Sequence, residues 1–218
     1  MHKKRIIFLV VIMLLLTGCT ELSNNVEEIV LTLTSTDGVR ANTASTNYEL
    51  YLPIGVKQEF DSNYNQKFKI NNRYVYMYVD TISYYYGNKL NYKEDDNYNY
   101  YYRKIEIGNK TGYVGINKEE DDLYFTEIVY NYSKMEFYSD LEDLPTLLAN
   151  SLIIIKSIKY NDDLIKIELD SDNTEGRELK YQLDTPKDTE SKFNDYLQEY
   201  VAEEDDDNNN EVVLPDDN

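Results

Sequence analysis

Between Tyr48 and Tyr138 the chain repeats one pattern: short runs with a bulky apolar or aromatic residue at every second position, broken by Gly, Asn and acidic clusters. A period of two with frequent turn residues restricts this stretch to hairpin-linked, antiparallel strands. Residues 73–80 show it best. Tyr74, Tyr76 and Tyr78 point one way and Val75, Met77 and Val79 the other, so this strand is expected near the middle of a sheet, covered on both sides. Residues 48–52 alternate as a half-buried strand, closed by the turn 53–55. Residues 68–70 form a short strand before Asn71-Asn72, and 81–86 either prolong the 73–80 strand or bend away from it. An acidic loop at 87–97 leads to a strand over 98–107, a turn at 108–111 and a return strand over 112–117. After the acidic turn 119–122 come strand candidates at 123–132 and 134–138.

The period then changes. Asp140 and Asp143 precede Leu144, Leu147, Leu148 and Leu152, an apolar stripe at helical spacing, and Pro145 falls where a helix tolerates it, in the first turns. A helix near 140–152 is expected to yield to a strand before Tyr160. Strands at 164–169 and 178–183 follow, joined by a turn over 170–176. A C-terminal helix near 186–201 places Phe193, Tyr196, Leu197, Tyr200 and Val201 on one face. Strands first and helices later imply an α+β fold, an antiparallel meander sheet with helices packed on it. One globular domain is expected over 48–201, with an acidic, Asn-rich disordered tail over 202–218.

The N-terminus reads as an export signal. His2, Lys3, Lys4 and Arg5 precede an unbroken apolar run from Ile6 to Leu16, which is about half the roughly 20 residues a spanning helix needs. The junction Leu16-Thr17-Gly18-Cys19 resembles the bacterial lipobox, and the segment is identified as a lipoprotein signal on all four positions. That resemblance implies a signal over 1–18, removed to leave Cys19 as a lipidated first residue. It also implies a cell-membrane location, facing outside the cytoplasm. Thr20 follows, so the aspartate that retains some lipoproteins at the inner membrane is absent, and the Asn-, Lys-, Ile- and Tyr-rich composition points to a single-membrane host. Residues 19–47 are expected to be a flexible tether, with residues 28–34, where Ile29, Leu31 and Leu33 alternate, as a possible first strand.

Composition narrows the chemistry. The 218 residues hold 22 basic and 41 acidic side chains. Loss of Lys3, Lys4 and Arg5 with the signal brings the net charge from −19 to −22. Nucleic acid, whose phosphates require Lys and Arg, is an unsuitable partner, and anionic headgroups repel such a surface. The one histidine is His2 and the one cysteine Cys19. A processed chain therefore has no Ser-His-Asp or Cys-His machinery, no histidine-based zinc site and no disulfide. No catalytic residue, metal ligand or cofactor is assigned. Asp170-Ser171-Asp172-Asn173-Thr174 starts like a calcium loop, but Glu175 replaces the required Gly and Tyr181 the bidentate Glu.

Tyrosine is the unusual residue, 23 in all with 11 between Tyr74 and Tyr102. Consecutive residues of a strand cannot all face a core. Tyr84, Tyr85, Tyr86, Tyr100, Tyr101 and Tyr102 are therefore the candidate contact residues, with at least one of each triplet exposed. The start Tyr48-Glu49-Leu50-Tyr51-Leu52-Pro53-Ile54-Gly55-Val56 resembles the opening of PsbP-like domains, although Val56 stands where that family often has tryptophan. A late helix and closing strand within 140–160 suit the same resemblance, which implies a non-enzymatic lipoprotein over about 48–160 and carries no binding residues across. The expected function is thus a membrane-anchored binding or accessory module, not an enzyme, with a protein or cell-wall partner. The alternatives are a carboxylate-based hydrolase of surface glycans and an acidic inhibitor or immunity-type lipoprotein.

Overall fold

Alternation and turn chemistry produce a sheet of hairpins, as the sequence predicts. A computed structural model describes residues 22–62, 64–89, 97–170 and Leu183. Its first elements are helix α1 (Leu22–Ser35) and strands β1 (Thr43–Ala44), β2 (Tyr48–Leu50), β3 (Val56–Asp61), β4 (Asn65–Ile70) and β5 (Arg73–Val79). After the short helix α2 (Thr81–Tyr85) come β6 (Tyr101–Ile107), β7 (Lys110–Lys118), β8 (Tyr124–Tyr130) and β9 (Ser133–Ser139). Helix α3 (Leu144–Ser157), strand β10 (Lys159–Tyr160) and helix α4 (Asp162–Asp170) complete the described chain.

Seven strands pair antiparallel in the order β3-β4-β5-β9-β8-β7-β6, and β1-β2-β10 make a small second sheet. The fold is α+β. Two meanders, β3 to β5 and β6 to β9, meet where Met77 of β5 lies opposite Met135 of β9. Asn71 at the β4–β5 turn has φ 54°, and Asn131 and Tyr132 at the β8–β9 turn have φ 48° and 67°. Asn accepts this left-handed region readily. The bulky Tyr132 is held there by its hydroxyl, which donates to Asn88 O at 2.7 Å.

One face of the large sheet supplies Phe68, Val75, Met77, Val114, Ile116, Ile128, Met135 and Phe137, all essentially inaccessible. Against them α3 packs Leu144, Leu147, Leu148, Leu152 and Ile155. Each fully buried side chain of this size contributes about 1.5–3 kcal/mol, so α3 is the main clamp on the sheet. Arg73 fixes its start, with Nη2 and Nε each 2.7 Å from Asp140 and Asp143. Asp140 also accepts the backbone N–H of Asp143 at 2.9 Å, tightening the turn before the helix.

The structure corrects four expectations. Residues 22–35, assigned to a tether or in part to a strand, are helix α1. The stripe Val26, Ile29, Val30 and Leu33 has the 3–1–3 spacing of a helix face; Val26 and Val30 are fully buried and Ile29 and Leu33 pack on the same core. The alternation that suggested a strand is incidental to this spacing. Residues 164–169 are helical as well, in α4. Asp162 and Asp163 favour its N-terminus, Asn161 Oδ1 accepts from Leu164 N at 3.2 Å, and Ile165 alone of its residues is buried. Residues 81–86 neither prolong β5 nor merely bend: Asp80 accepts from Ser83 N at 2.9 Å and starts α2. The helix expected near 140–152 runs instead over Leu144–Ser157, because its buried stripe continues through Ile154 and Ile155, and it yields to a strand at Lys159–Tyr160, within the expected interval. Edge strand β3, polar and mostly exposed, gave no sequence signal. The expected signal over 1–18, Cys19, the strand at 178–183, the helix at 186–201 and the tail at 202–218 lie outside the described residues, save Leu183.

Candidate functional site

The side of the large sheet opposite α3 is built from the residues that alternate with the core set. Strand register lines them up across six strands. One row runs Lys67, Tyr76, Glu136, Glu127, Gly115, Tyr102. The row beside it runs Asn65, Tyr78, Lys134, Val129, Tyr113, Lys104. Hydrophobic cores do not take such sequences, so this face is polar by construction, with aromatic rings set among charges.

Its centre is a carboxylate pair. Glu127 and Glu136 are directly opposed on β8 and β9, which puts their Cβ atoms about 4.5–5.5 Å apart. Glu127 Oε1 accepts the Tyr98 hydroxyl at 2.6 Å and also the Tyr113 hydroxyl. Lys134 Nζ lies 3.0 Å from Glu136 Oε1. Burial, with the Glu127 carboxylate adding to it, raises the Glu136 pKa against the opposing pull of Lys134. Burial and then Glu127 likewise raise the Tyr113 hydroxyl, keeping it a proton donor.

The aromatic part stands beside this pair. The rings of Tyr98 and Tyr102 stack at 5.6 Å and 17°, and Tyr113 lies 6.0 Å from Tyr98 and 5.7 Å from Tyr102. Tyr98 reaches this position because Gly115 has no side chain. A Cβ there would collide with the Tyr98 ring, with Cδ1 only 2.6 Å away. A ring over a strand glycine covers backbone that would otherwise be exposed.

A raised carboxyl pKa has a definite consequence for stability. Glu136 binds its proton more tightly folded than unfolded, so its contribution is complete below its ordinary value of 4.5 and is lost as pH rises through the folded value. Glu136→Gln is therefore expected to gain stability relative to wild type as pH rises above 4.5, the ordinary value of the carboxyl. Thermal melts of both proteins at a series of pH values upward from that point check it. A gap that is constant or moves the other way contradicts this environment for Glu136.

The sequence-derived contact residues occupy three different settings. Tyr102 joins Tyr98 and Tyr113 on the polar face. Tyr101 turns to the core side, where its hydroxyl donates to Glu27 of α1 at 2.7 Å, and Arg103 pairs with the same carboxylate. Tyr100 also packs against the core and meets Tyr124 edge-on at 4.9 Å. All three are half-buried, unlike the expectation of an exposed member, because Glu27 and the rings of Tyr98, Tyr113 and Tyr124 enclose them. Tyr84 stacks on Tyr160 at 3.7 Å, while Tyr85 and Tyr86 are exposed as expected, Tyr86 at 64%. Among the described residues no ring contact joins the two triplets.

Tyr98, Tyr113, Glu127 and Glu136 were not singled out by sequence. The glutamate pair was within reach, because a two-residue turn at Asn131-Tyr132 places positions 127 and 136 opposite each other. Tyr98 over Gly115 was not, since no local pattern signals that contact. Among the described residues no group of three or more His, Cys, Asp or Glu is arranged to hold a metal, and no helix is long and apolar enough to cross a membrane. Comparison with known protein families, curated proteins and solved structures finds no match to this chain.

Proposed function

We propose that this chain is a lipid-anchored protein exposed outside the cytoplasm that binds a wall or protein ligand through the tyrosine and glutamate face of its large sheet. The observation that carries the binding reading is the Tyr98–Tyr102–Tyr113 cluster beside the Glu127–Glu136 pair. Tyrosine offers large rigid area with a polar tip, and paired carboxylates accept hydrogen bonds from hydroxyl or amine groups. A saccharide or a peptide with such groups meets both requirements. Titration with soluble wall fragments (muropeptides and wall-glycan oligomers), followed by NMR, is expected to shift signals of Tyr98, Tyr102 and Tyr113. Shifts confined to other surfaces would remove the wall-ligand form of this reading.

Anchoring rests on Leu16 through Cys19. With α1 beginning at Leu22, three residue steps separate its start from Cys19, at most about 10 Å of chain. A lipid on Cys19 would seat the domain against the bilayer and not at the end of a long tether. The surface charge repels anionic lipid, so acyl chains, at about 0.8 kcal/mol per buried methylene, must supply the attachment. Cys19→Ala is accordingly expected to move the protein from the detergent phase to the aqueous phase on Triton X-114 partition. Equal retention in the detergent phase would refute the lipid anchor.

A second reading, hydrolysis of surface glycans, is favoured by the glutamate pair. Retaining glycosidases use two carboxyls, one of them with a raised pKa. Glu136 would be the acid and Glu127 the nucleophile. Turnover of chromogenic glycosides by wild type that Glu136→Gln abolishes is the outcome this reading requires.

A further inference from the structure

A second group of side chains on the same face is basic. Lys57 of edge strand β3 is directly opposite Lys69 of β4, and Lys67 follows on the same face. Like charges directly opposed across strands are destabilising, and neither Lys57 nor Lys69 forms an ion pair among the described residues. Lys67 and Lys69 stand over aromatic rings. Lys67 Nζ lies 3.8 Å from the centroid of Tyr74 and 5.1 Å from that of Tyr76, and Lys69 Nζ 5.5 Å from Tyr74. Phe60, opposite Lys67 beyond the bulge in β3, is 42% exposed. The result is a cationic, ring-lined strip on a chain whose net charge is −19.

We propose that this strip is the docking site of the chain's own acidic C-terminal segment, residues 203–207. Three facts select that occupant over an outside polyanion or a second copy. Residues 202–218 contain eight acidic and no basic side chains, five of them consecutive as Glu203-Glu204-Asp205-Asp206-Asp207. The 33 residue steps from Asp170 to Glu203 reach up to about 110 Å, against about 29 Å across seven strands. Finally, the net negative charge repels a free polyanion and another copy alike, while a tethered segment is present at an effective concentration near millimolar. A docked carboxylate run would offset the Lys57–Lys69 repulsion and cover Phe60 and Tyr74. Any outside ligand extending over this strip would then have to displace it. Docking of this segment is independent of whether the Tyr98–Tyr102–Tyr113 cluster binds anything.

Zero-length carbodiimide coupling of the full chain in non-ionic detergent tests it, because the reagent joins only lysines and carboxylates already in contact. Peptide mapping of the monomer is expected to link Lys57, Lys67 or Lys69 to residues 203–207, with yield falling about five-fold when salt is raised to about 0.5 M. In parallel, acetylation of Lys57 and Lys69 should rise about three-fold, a modest loss of protection for surface ion pairs, when Glu203, Glu204, Asp205, Asp206 and Asp207 are changed to their amides. That variant alters no residue of the described domain, so a folding defect does not confuse the result. Links from these lysines only to other acidic residues, links only between two copies, or lysine reactivity unchanged in the amide variant would each overturn the proposal.

Discussion

Val30→Asp is expected to destroy or nearly destroy the cooperative fold. Val30 is fully buried in the cluster between α1, α3 and the sheet, and the described cations that reach α1 are already engaged, Arg103 by Glu27 and Lys156 by the Leu33 and Thr36 carbonyls. An uncompensated buried charge costs on the order of 4 kcal/mol, a large fraction of the 5–15 kcal/mol that a domain of this size commonly has. Leu31→Asp, one residue on and 43% exposed, should change stability by about 0.5 kcal/mol or less. Urea unfolding followed by circular dichroism separates the two. Were residues 22–35 a tether, both substitutions would be silent, so equal stability of the Val30 and Leu31 variants would reject α1 as part of the domain.

Gly112→Ala should be the second costly change. Gly112 lies opposite Tyr130 on β8 and Ile105 on β6. A methyl there would penetrate the Val129 carbonyl oxygen and stand 2.7 Å from Tyr130 Cα. These atoms and the Val129 carbonyl carbon are all backbone, so relief requires β7 and β8 to separate, at about 3 kcal/mol by analogy with overpacked cores. Gly115→Ala meets the Tyr98 side chain instead. That ring can swing aside, so its expected cost is about 1 kcal/mol, with loss of the Tyr98–Glu127 hydrogen bond. Chemical denaturation ranks the two. A larger loss at Gly115 than at Gly112 would contradict the pairing of β7 with β8.

Much of the sheet was legible because each strand carries its own evidence. Tyr74 to Val79 alternate, Asn71 and Gly108 mark turns, and hairpins need only neighbours in sequence to pair. Helix α3 was legible for a similar reason, although it runs on to Ser157, past the last leucine of its stripe at Leu152. Misreadings cluster where a short apolar run suits two periods. Residues 28–34 satisfy a strand if Ile29, Leu31 and Leu33 are counted and a helix if Val26 and Val30 are included. The burial of those two valines against α3 decides between them, and that is a contact with residues more than a hundred positions away. Ile165 in α4 is a similar case.

The candidate face was legible only in part. Tyr102 was found, but its partners Tyr98 and Tyr113 were hidden among 23 tyrosines with no local mark to distinguish them. Extending the strand through Tyr132 concealed the turn at Asn131 and, with it, the opposition of Glu127 and Glu136. A run of three tyrosines cannot all face one core, which on sequence grounds points Tyr100 and Tyr101 to a contact surface. Glu27 and Tyr124 instead satisfy them from the other side.

By itself the sequence determined the alternating strands, their turns and the absence of histidine and cysteine beyond residue 19, because these depend on residue type and nearest neighbours alone. Tertiary structure decided that 22–35 is a packed helix, that β5 lies beside β9, and that Tyr98, Tyr102, Tyr113, Glu127 and Glu136 share one face. Those outcomes depend on which distant surfaces exclude water from one another, a choice made by the whole fold and not by any one segment.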